Sequence, residues 1–285
     1  MEKAIKPLLG LGLDAQYFHR YPNGVVDLCE RYRDHLSHLS IVSLSSILKA
    51  DKFVRECSKG LPVVHHLPGI APANPDGPNL ERLRRLNPVT EALDARWVCE
   101  DIAIWSIGPY SIPYFTPPIF EPEIADYIAQ GIKEIQSISS APFCAEVPSC
   151  AIVVGNMPFG EFFHSIVSQT NCRMVADVSH VYSYAIATKQ NPLDVLVSLP
   201  LDAVWEIHIS GGHIDPKSDQ RYIDTHSETI PDPIIALLSE AVSKCMNLKA
   251  VTYEVGVGLS EMDIDDDVNR LVRTLNELGW SPSIS

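Results

Sequence analysis

The chain has 285 residues, of which 46% are hydrophobic, and a formal net charge of −14 at pH 7. This length can hold a sizeable α/β core, and we expect a single domain over residues 1–285. The negative charge argues against nucleic-acid and membrane surfaces, because a phosphate-binding face needs clustered Lys and Arg. Since the sequence has neither a bilayer-spanning apolar run nor a cleavable signal, we expect a cytoplasmic protein.

Short apolar runs alternate with helical patterns along the chain. The predicted strands are 8–13, 38–44, 62–66, 96–105, 143–148, 173–182, 203–210 and 250–255. A helical pattern follows each strand, most clearly over 123–139. Parallel strands with helical crossovers explain this alternation, and eight units predict a closed (β/α)8 TIM barrel. An open doubly wound sheet is the alternative, although GLGLDAQ at 10–16 lacks the third glycine and downstream acid of a dinucleotide fingerprint.

The segment over 107–123, IGPYSIPYFTPPIFEPE, differs in composition from the other connections. It is rich in proline but too apolar and aromatic for a disordered linker. It predicts either a packed lid or a surface for a substrate or partner.

Acids and imidazoles follow the apolar part of six predicted strands. In a barrel, chemistry gathers at the C-terminal ends of the strands, so these side chains should meet at one mouth. They are His65, Asp101, Glu146, Asp177, His180, Glu206, His208 and Glu254, and the seventh strand is followed by His213, Asp224 and His226. By strand alternation, His66 and Glu100 are predicted to face away from the mouth and to be structural.

Burying so many carboxylates without cations would raise their pKa values and cost several kcal/mol. Metal ions are the simplest compensation. A mixture of imidazole and carboxylate suits a borderline divalent metal such as iron, manganese or zinc. Because the donors outnumber the needs of one ion, we predict two or three metals bridged by at least one carboxylate.

Seven segments, in chain order, carry a family resemblance. They read VVHHLPG, VCEDIAIWS, AEVPS, MVADVSHVY, EIHISGGH, YIDTHSETIPDP and TYEVG. The chain resembles the multinuclear non-haem iron-dependent oxidative enzymes, which include the iron subunit of methanobactin oxidase. The resemblance implies a xylose-isomerase-like barrel with two or three iron ions in mixed Fe2+/Fe3+ states and O2 as cosubstrate. It also implies oxidative modification of a residue, often Cys, in a ribosomally made precursor peptide, with a partner protein that binds the leader peptide.

Carried over position by position, the resemblance implies a set of metal ligands. They are His65, Glu146, Asp177, His180, His208, Asp224, His226 and Glu254, with His213 as a further addition. Glu146 is the implied bridge, and we expect Glu146, Asp177, His208 and Asp224 to be catalytic. Ser179, Tyr182 and Glu206 are expected to orient ligands through hydrogen bonds.

The chain departs from the family pattern at several positions. Ser43 and Ser45 stand where the family has Glu and Asn, and Asp101 stands in place of a His that it could replace as a ligand. Val147 stands where the family has Asn, and His180 stands where the family often has Asn. The loop from 208 to 213 is one residue longer than the family pattern predicts. These changes bear on one metal position.

Two other functions remain open on the residues alone. A redox-neutral isomerase or phosphodiesterase on the same barrel would use Mn or Zn. A degenerate subunit would instead bind a peptide through the aromatic loop from Tyr110 to Phe120.

Overall fold

The structure is a computed structural model that describes residues 5–14, 24–42, 45–256 and 258–280. The described strands are β1 (Leu11–Asp14), β2 (Leu36–Val42), β3 (Val63–His66), β4 (Val98–Asp101), β5 (Ile104–Ile107), β6 (Tyr110–Thr116), β7 (Phe143–Glu146), β8 (Arg173–Asp177), β9 (Val204–Ile209), β10 (Gly212–Ile214), β11 (Tyr222–Asp224) and β12 (Ala250–Glu254). Eight of them close into a parallel barrel in the order β1-β2-β3-β4-β7-β8-β9-β12, and β12 pairs back with β1. The predicted (β/α)8 barrel is confirmed, and the open sheet is excluded.

Helices follow the barrel strands and cover their outer faces. They are α1 (Gly24–Arg31), α2 (Ile47–Phe53), α3 (Leu80–Ala92), α4 (Pro122–Ile138), α5 (Phe159–Thr170), α6 (Val178–Thr188), α7 (Pro192–Ser198), α8 (Asp232–Lys244) and α9 (Glu261–Glu277). Their starts follow local chemistry: Pro122 opens α4, where its missing N–H costs nothing, and Ser260 and Asp263 form a capping box on α9. Across the described part of the chain, we find no helix long and apolar enough to cross a bilayer.

Two predicted strands are at least four residues longer than the observed ones. The strand predicted over 173–182 ends at Asp177, where the carboxylate accepts hydrogen bonds from the backbone N–H groups of Ser179 (2.7 Å) and His180 (2.8 Å). Asp177 therefore caps α6. The strand predicted over 96–105 ends at Asp101, before β5 begins at Ile104. Residues 43–44 of the second predicted strand lie outside the described residues.

Two antiparallel hairpins extend from the C-terminal end of the barrel. One pairs β5 with β6 and contains most of the proline-rich segment, and the other pairs β10 with β11. Asn74 fixes the first hairpin, because its side-chain oxygen accepts from the backbone N–H groups of Trp105 (2.7 Å) and Ser106 (3.1 Å). Both hairpins therefore lie at the end of the barrel where the ionisable residues gather.

The barrel interior below this end contains a closed polar network. Trp97 Nε1 donates to Glu206 Oε2 (2.6 Å), and Thr252 Oγ1 donates to Glu206 Oε1 (2.5 Å). Since the Thr252 hydroxyl donates to Glu206, it accepts from His38 Nε2 at 2.9 Å. Gly12 makes room for this imidazole, because a Cβ there would lie 2.1 Å from His38 Nε2. Each polar group is thus paired without solvent.

We expect His38 to make the metal-free protein less stable in acid. Burial lowers its pKa from 6.5 to about 4. Between these pH values His38 binds a proton in the unfolded chain but not in the folded chain. The free energy of unfolding is therefore highest above pH 6.5 and falls as the pH drops toward 4, by up to about 3 kcal/mol. In urea unfolding, the loss of stability between pH 6.5 and pH 4 should be smaller in His38→Gln than in wild type by that amount.

The matched control is His164→Gln, which changes an exposed histidine on α5 and should keep the wild-type pH profile. An unchanged profile in His38→Gln as well would refute a role for His38 in acid sensitivity.

Candidate metal centre

The C-terminal mouth of the barrel encloses a cavity of about 350 Å³. Its polar lining comprises His66, Asp101, Glu146, His180, Asp224, Thr225, His226 and Glu254, and its apolar lining comprises Val42, Pro68, Trp105, Tyr114 and Phe115. Strand register sets the depth of these groups, since Asp101 pairs with Glu146 on adjacent strands and Asp177 pairs with His208. The cavity therefore has an ionisable floor and an aromatic cover.

The first donor group consists of His66, Glu146, Asp177, His208 and Glu254. Ligand atoms of the last four lie within 4.8 Å of one another. Glu146 Oε1 is 2.8 Å from His208 Nδ1, and Glu146 Oε2 is 3.6 Å from His66 Nε2. Glu254 Oε1 lies 3.5 Å from His208 Nδ1. Two imidazoles and three carboxylates thus surround one point of the cavity floor.

The second donor group consists of His180, Asp224 and His226. Asp224 Oδ2 lies 2.9 Å from His180 Nε2 and 3.0 Å from His226 Nε2. His180 Nδ1 donates to the Val147 carbonyl at 2.7 Å, which leaves Nε2 as its ligand atom. His226 adopts a left-handed backbone with φ of 54°, a strained conformation of the kind that gathers at functional sites.

Two carboxylates connect the donor groups. Glu254 turns Oε1 toward His208 and Oε2 toward His226, with the latter contact at 3.7 Å. Asp177 belongs to the first group, and its Oδ2 lies 3.9 Å from His180 Nε2. The ion-pair contacts of Glu146 with His66 and His208 stay within the first group, and its bridging role remains a prediction.

The electrostatics of the mouth fit bound cations. Within the described residues, no hydrogen bond reaches either ring nitrogen of His66, Asp101 Oδ1, Glu146 Oε2 or Asp177 Oδ2. Burial, and then the neighbouring Glu146, raises the pKa of Asp101 well above its usual value. Burial opposes protonation of His208, yet Glu146 and Glu206 raise its pKa well above 6.5.

Acidic neighbours likewise raise the pKa values of His180 and His226, so protons on His180, His208 and His226 supply positive charge when no metal is bound, whereas burial lowers the pKa of His66. Divalent ions bound to the same nitrogen and oxygen atoms would replace those protons and satisfy the unpaired atoms. The residues present fit a centre of borderline divalent metals.

Most of the predicted ligands converge on this centre. Those that do so are Asp101, Glu146, Asp177, His180, His208, Asp224, His226 and Glu254. Glu206 lies just below them, with Oε1 3.2 Å from His208 Nε2. Glu100 faces away, as predicted, and accepts from Ile70 N and Trp105 Nε1.

The orientation predicted for the third strand is wrong. His66 lines the cavity, whereas His65 faces α3, with Nδ1 2.8 Å from Thr90 Oγ1. The residues VVHH are all buried, so the strand offers no contrast between a polar and an apolar face from which to read the alternation. β3 therefore contributes His66, and not His65, to the cavity lining.

The prediction that His213 joins the ligands is also wrong. It lies on β10, its side chain is 40% exposed, and its Nδ1 is 2.7 Å from Glu228 Oε2. The turn after β9 leads into the β10–β11 hairpin, which places His213 outside the cavity lining. Asp224, at the end of the same hairpin, does reach the cavity.

Sequence reasoning missed Asp14. The first strand was predicted to end at Leu13, but β1 continues to Asp14, which is opposite Glu254 in the register with β12. A carboxylate directly after an apolar strand is the same signal that identified Asp177 and Glu254.

A family model described as RiPP precursor modification enzyme MbnB/TglH/ChrH matches residues 10–264. The chain belongs to this family. A UPF0276 protein of Caulobacter vibrioides is 25% identical over 219 residues, which cover 76% of this chain and 74% of that protein. Another UPF0276 protein, from Rhizorhabdus wittichii, is 23% identical over 96% of this chain and 93% of its own length.

Solved structures support the fold. A xylose isomerase-like TIM barrel protein from Mycobacterium smegmatis, in complex with magnesium, superimposes with a TM-score of 0.63 at 10% identity, covering 96% of this chain and 99% of that one. At such low identity this similarity supports only the fold, which is xylose-isomerase-like. Membership of the RiPP precursor modification enzymes identifies the chain as an enzyme whose substrate is a precursor of a ribosomally synthesised, post-translationally modified peptide.

Proposed function

We propose that this RiPP precursor modification enzyme binds two or three iron ions and uses O2 to oxidise a residue, most simply Cys, of its precursor peptide. The observation that carries the proposal is the pair of donor groups that share Glu254 and Asp177 on the cavity floor. Two ions bound by these neighbouring donor groups would both be able to act on the same substrate group, as in two-metal sites.

The donor groups divide the work of holding the metals. His66, Glu146 and His208 would hold one ion, His180, Asp224 and His226 a second, and Asp101 is placed to join either. Iron bound here supplies oxygen activation and a Lewis acid for a substrate thiolate, since soft sulfur suits iron. Glu206 holds His208 from below and thereby fixes the ring toward the cavity.

The cover of the cavity suits a peptide side chain. Tyr114 and Phe115 stack with ring centroids 4.8 Å apart, and Phe115 meets the His180 ring edge-on at 6.4 Å. Together with Trp105 they form the aromatic part of the cavity lining. A cavity of about 350 Å³ admits one side chain and its adjoining backbone, so the rest of the peptide must lie outside.

The outer face of the β5–β6 hairpin is where the flanking peptide would lie. Ile107 and Tyr110 are exposed there by 56% and 76%, and Tyr114, which also lines the cavity, is 58% exposed. Exposed apolar side chains beside a cavity mark a contact surface for a peptide or a protein. We propose that the precursor peptide crosses this face and that a partner protein holds its leader.

Anaerobic purification, metal analysis and co-expression with neighbouring short Cys-containing reading frames test the proposal. We expect at least two iron ions per chain and an oxygen-dependent mass change in one peptide. Zinc or manganese with oxygen-independent turnover would favour the redox-neutral alternative. Metal below one ion per chain, with peptide binding intact, would instead indicate a degenerate binding subunit.

A further inference from the structure

Asp14 is a buried carboxylate at the mouth that neither strand pairing nor a hydrogen bond explains. It ends β1 with 2% of its surface exposed and is opposite Glu254 in the barrel register. Its charge interacts with the rings of His66 and His208, and its carboxyl group meets that of Glu254. Among the residues that the structure describes, no N–H or hydroxyl group donates a hydrogen bond to either of its oxygens, and the side chain that it faces is the carboxyl group of Glu254.

A purely structural role fits these surroundings poorly. A carboxylate that caps a helix or pairs with an arginine has a donor on at least one oxygen. A buried carboxylate without such a donor is costly, and a second carboxylate beside it adds repulsion. His66, facing Asp14, likewise lacks hydrogen bonds within the described part of the chain. A cation between these groups would remove both costs.

Within its described residues, β2, the strand next to β1, offers no metal ligand at the cavity, and this leaves a position that β1 can fill. β2 pairs with β1, and the β2 residue that lines the cavity is Val42, whose side chain cannot bind a metal. We infer that Asp14 is a direct ligand of the divalent ion held by the first donor group. The inference rests on the proposed function, because it needs a metal-loaded mouth.

Asp14→Asn tests the inference, because the amide keeps the size of the side chain and removes its charge. Metal-free protein is titrated anaerobically with Co2+ and, separately, reconstituted with Fe2+. We expect one ion to bind at least about 10-fold more weakly and the Co2+ absorption spectrum to change, while the other ion binds as in wild type. Asp14→Glu should restore part of the affinity.

Thermal unfolding of the metal-free variant separates ligation from a structural role. If Asp14 serves as a metal ligand and has no structural role, metal-free Asp14→Asn should melt at the same temperature as wild type or higher, because the variant removes one of two buried carboxyl groups that face each other. Glu100→Gln is the matched control: this buried carboxylate bonds to Ile70 N and Trp105 Nε1, and the variant should bind Co2+ as wild type does.

The outcomes are distinct. Full affinity and an unchanged Co2+ spectrum in Asp14→Asn, with wild type binding two or more ions, overturn the inference and leave the proposed function standing. A lower melting temperature of the metal-free variant with normal Co2+ binding assigns Asp14 a structural role and also overturns it. If Asp14→Asn fails to fold, Asp14→Glu decides, because a ligand must then show an altered Co2+ spectrum. Wild type that binds less than one ion per chain overturns both proposals.

Discussion

Glu146→Gln is expected to lower turnover of the precursor peptide by at least ~1,000-fold, because a metal ion contributes several kcal/mol to the transition state. Glu146 lies fully inside the first donor group, with one oxygen on His208 and the other facing His66. Glutamine fits the same space but carries no charge and turns an NH2 group toward one of the two imidazoles. The variant should therefore lose the iron of the first donor group.

Iron content and turnover should be measured on the same anaerobic preparation. Glu100→Gln, which neutralises an equally buried glutamate on β4, should keep the iron content of wild type. Full turnover by Glu146→Gln protein without bound iron would defeat the proposal that metals carry the reaction.

Asp224→Asn is expected to remove the second ion and to spare the first. One oxygen of Asp224 contacts both His180 and His226, and the other accepts from Ser210 Oγ at 2.6 Å. No atom of this contact set belongs to Glu146 or His208. Iron content should therefore fall by one ion per chain, and turnover should fall by ~100-fold or more if both ions act on one substrate.

The same variant makes a prediction about metal-free stability. Burial opposes protonation of His226, but Asp224 and Glu254 raise its pKa to about 10, and the pKa of Asp224 is depressed in return. Because its pKa is raised, His226 stabilises the fold fully below pH 6.5 and loses this effect as the pH rises through 10. Because its pKa is lowered, Asp224 stabilises the fold above pH 3.8.

The free energy of unfolding of wild type should thus exceed that of Asp224→Asn most between about pH 4 and pH 6.5, by a few kcal/mol. The difference should become smaller toward pH 10. Urea unfolding of both metal-free proteins across this range measures the difference. A constant stability difference from pH 4 to pH 10 would contradict the pairing of Asp224 with His226, and loss of all iron in Asp224→Asn would contradict the division into two donor groups.

The periodicity of the chain was enough to determine the barrel. Apolar strands of four to seven residues alternate with amphipathic helices, and parallel strands so connected have few ways to close. Acids placed directly after apolar runs, such as Glu146, Asp177 and Glu254, could be assigned to one mouth. To place these residues at one mouth, it was enough to know that each stands at the C-terminal end of a parallel strand, and this can be read from the sequence.

Side-chain direction required the folded structure. His65 and His66 are both buried, and only the twist and pairing of β3 decide that His66 is the one that faces the cavity. The strand boundary after Asp177 depended on its own side chain, which caps α6 and so ends a run that reads as a continuous strand.

What the sequence alone determined is the barrel fold, the end of the barrel at which the ionisable residues gather and most of the imidazoles and carboxylates found there. What only the tertiary structure decided is how these donors divide into two groups joined by Glu254 and Asp177, and that Asp14 stands among them while His213 does not. The physical reason is that strand order gives the end of the barrel at which a residue lies. Distances between side chains on different strands depend on barrel closure and register, which no local pattern encodes.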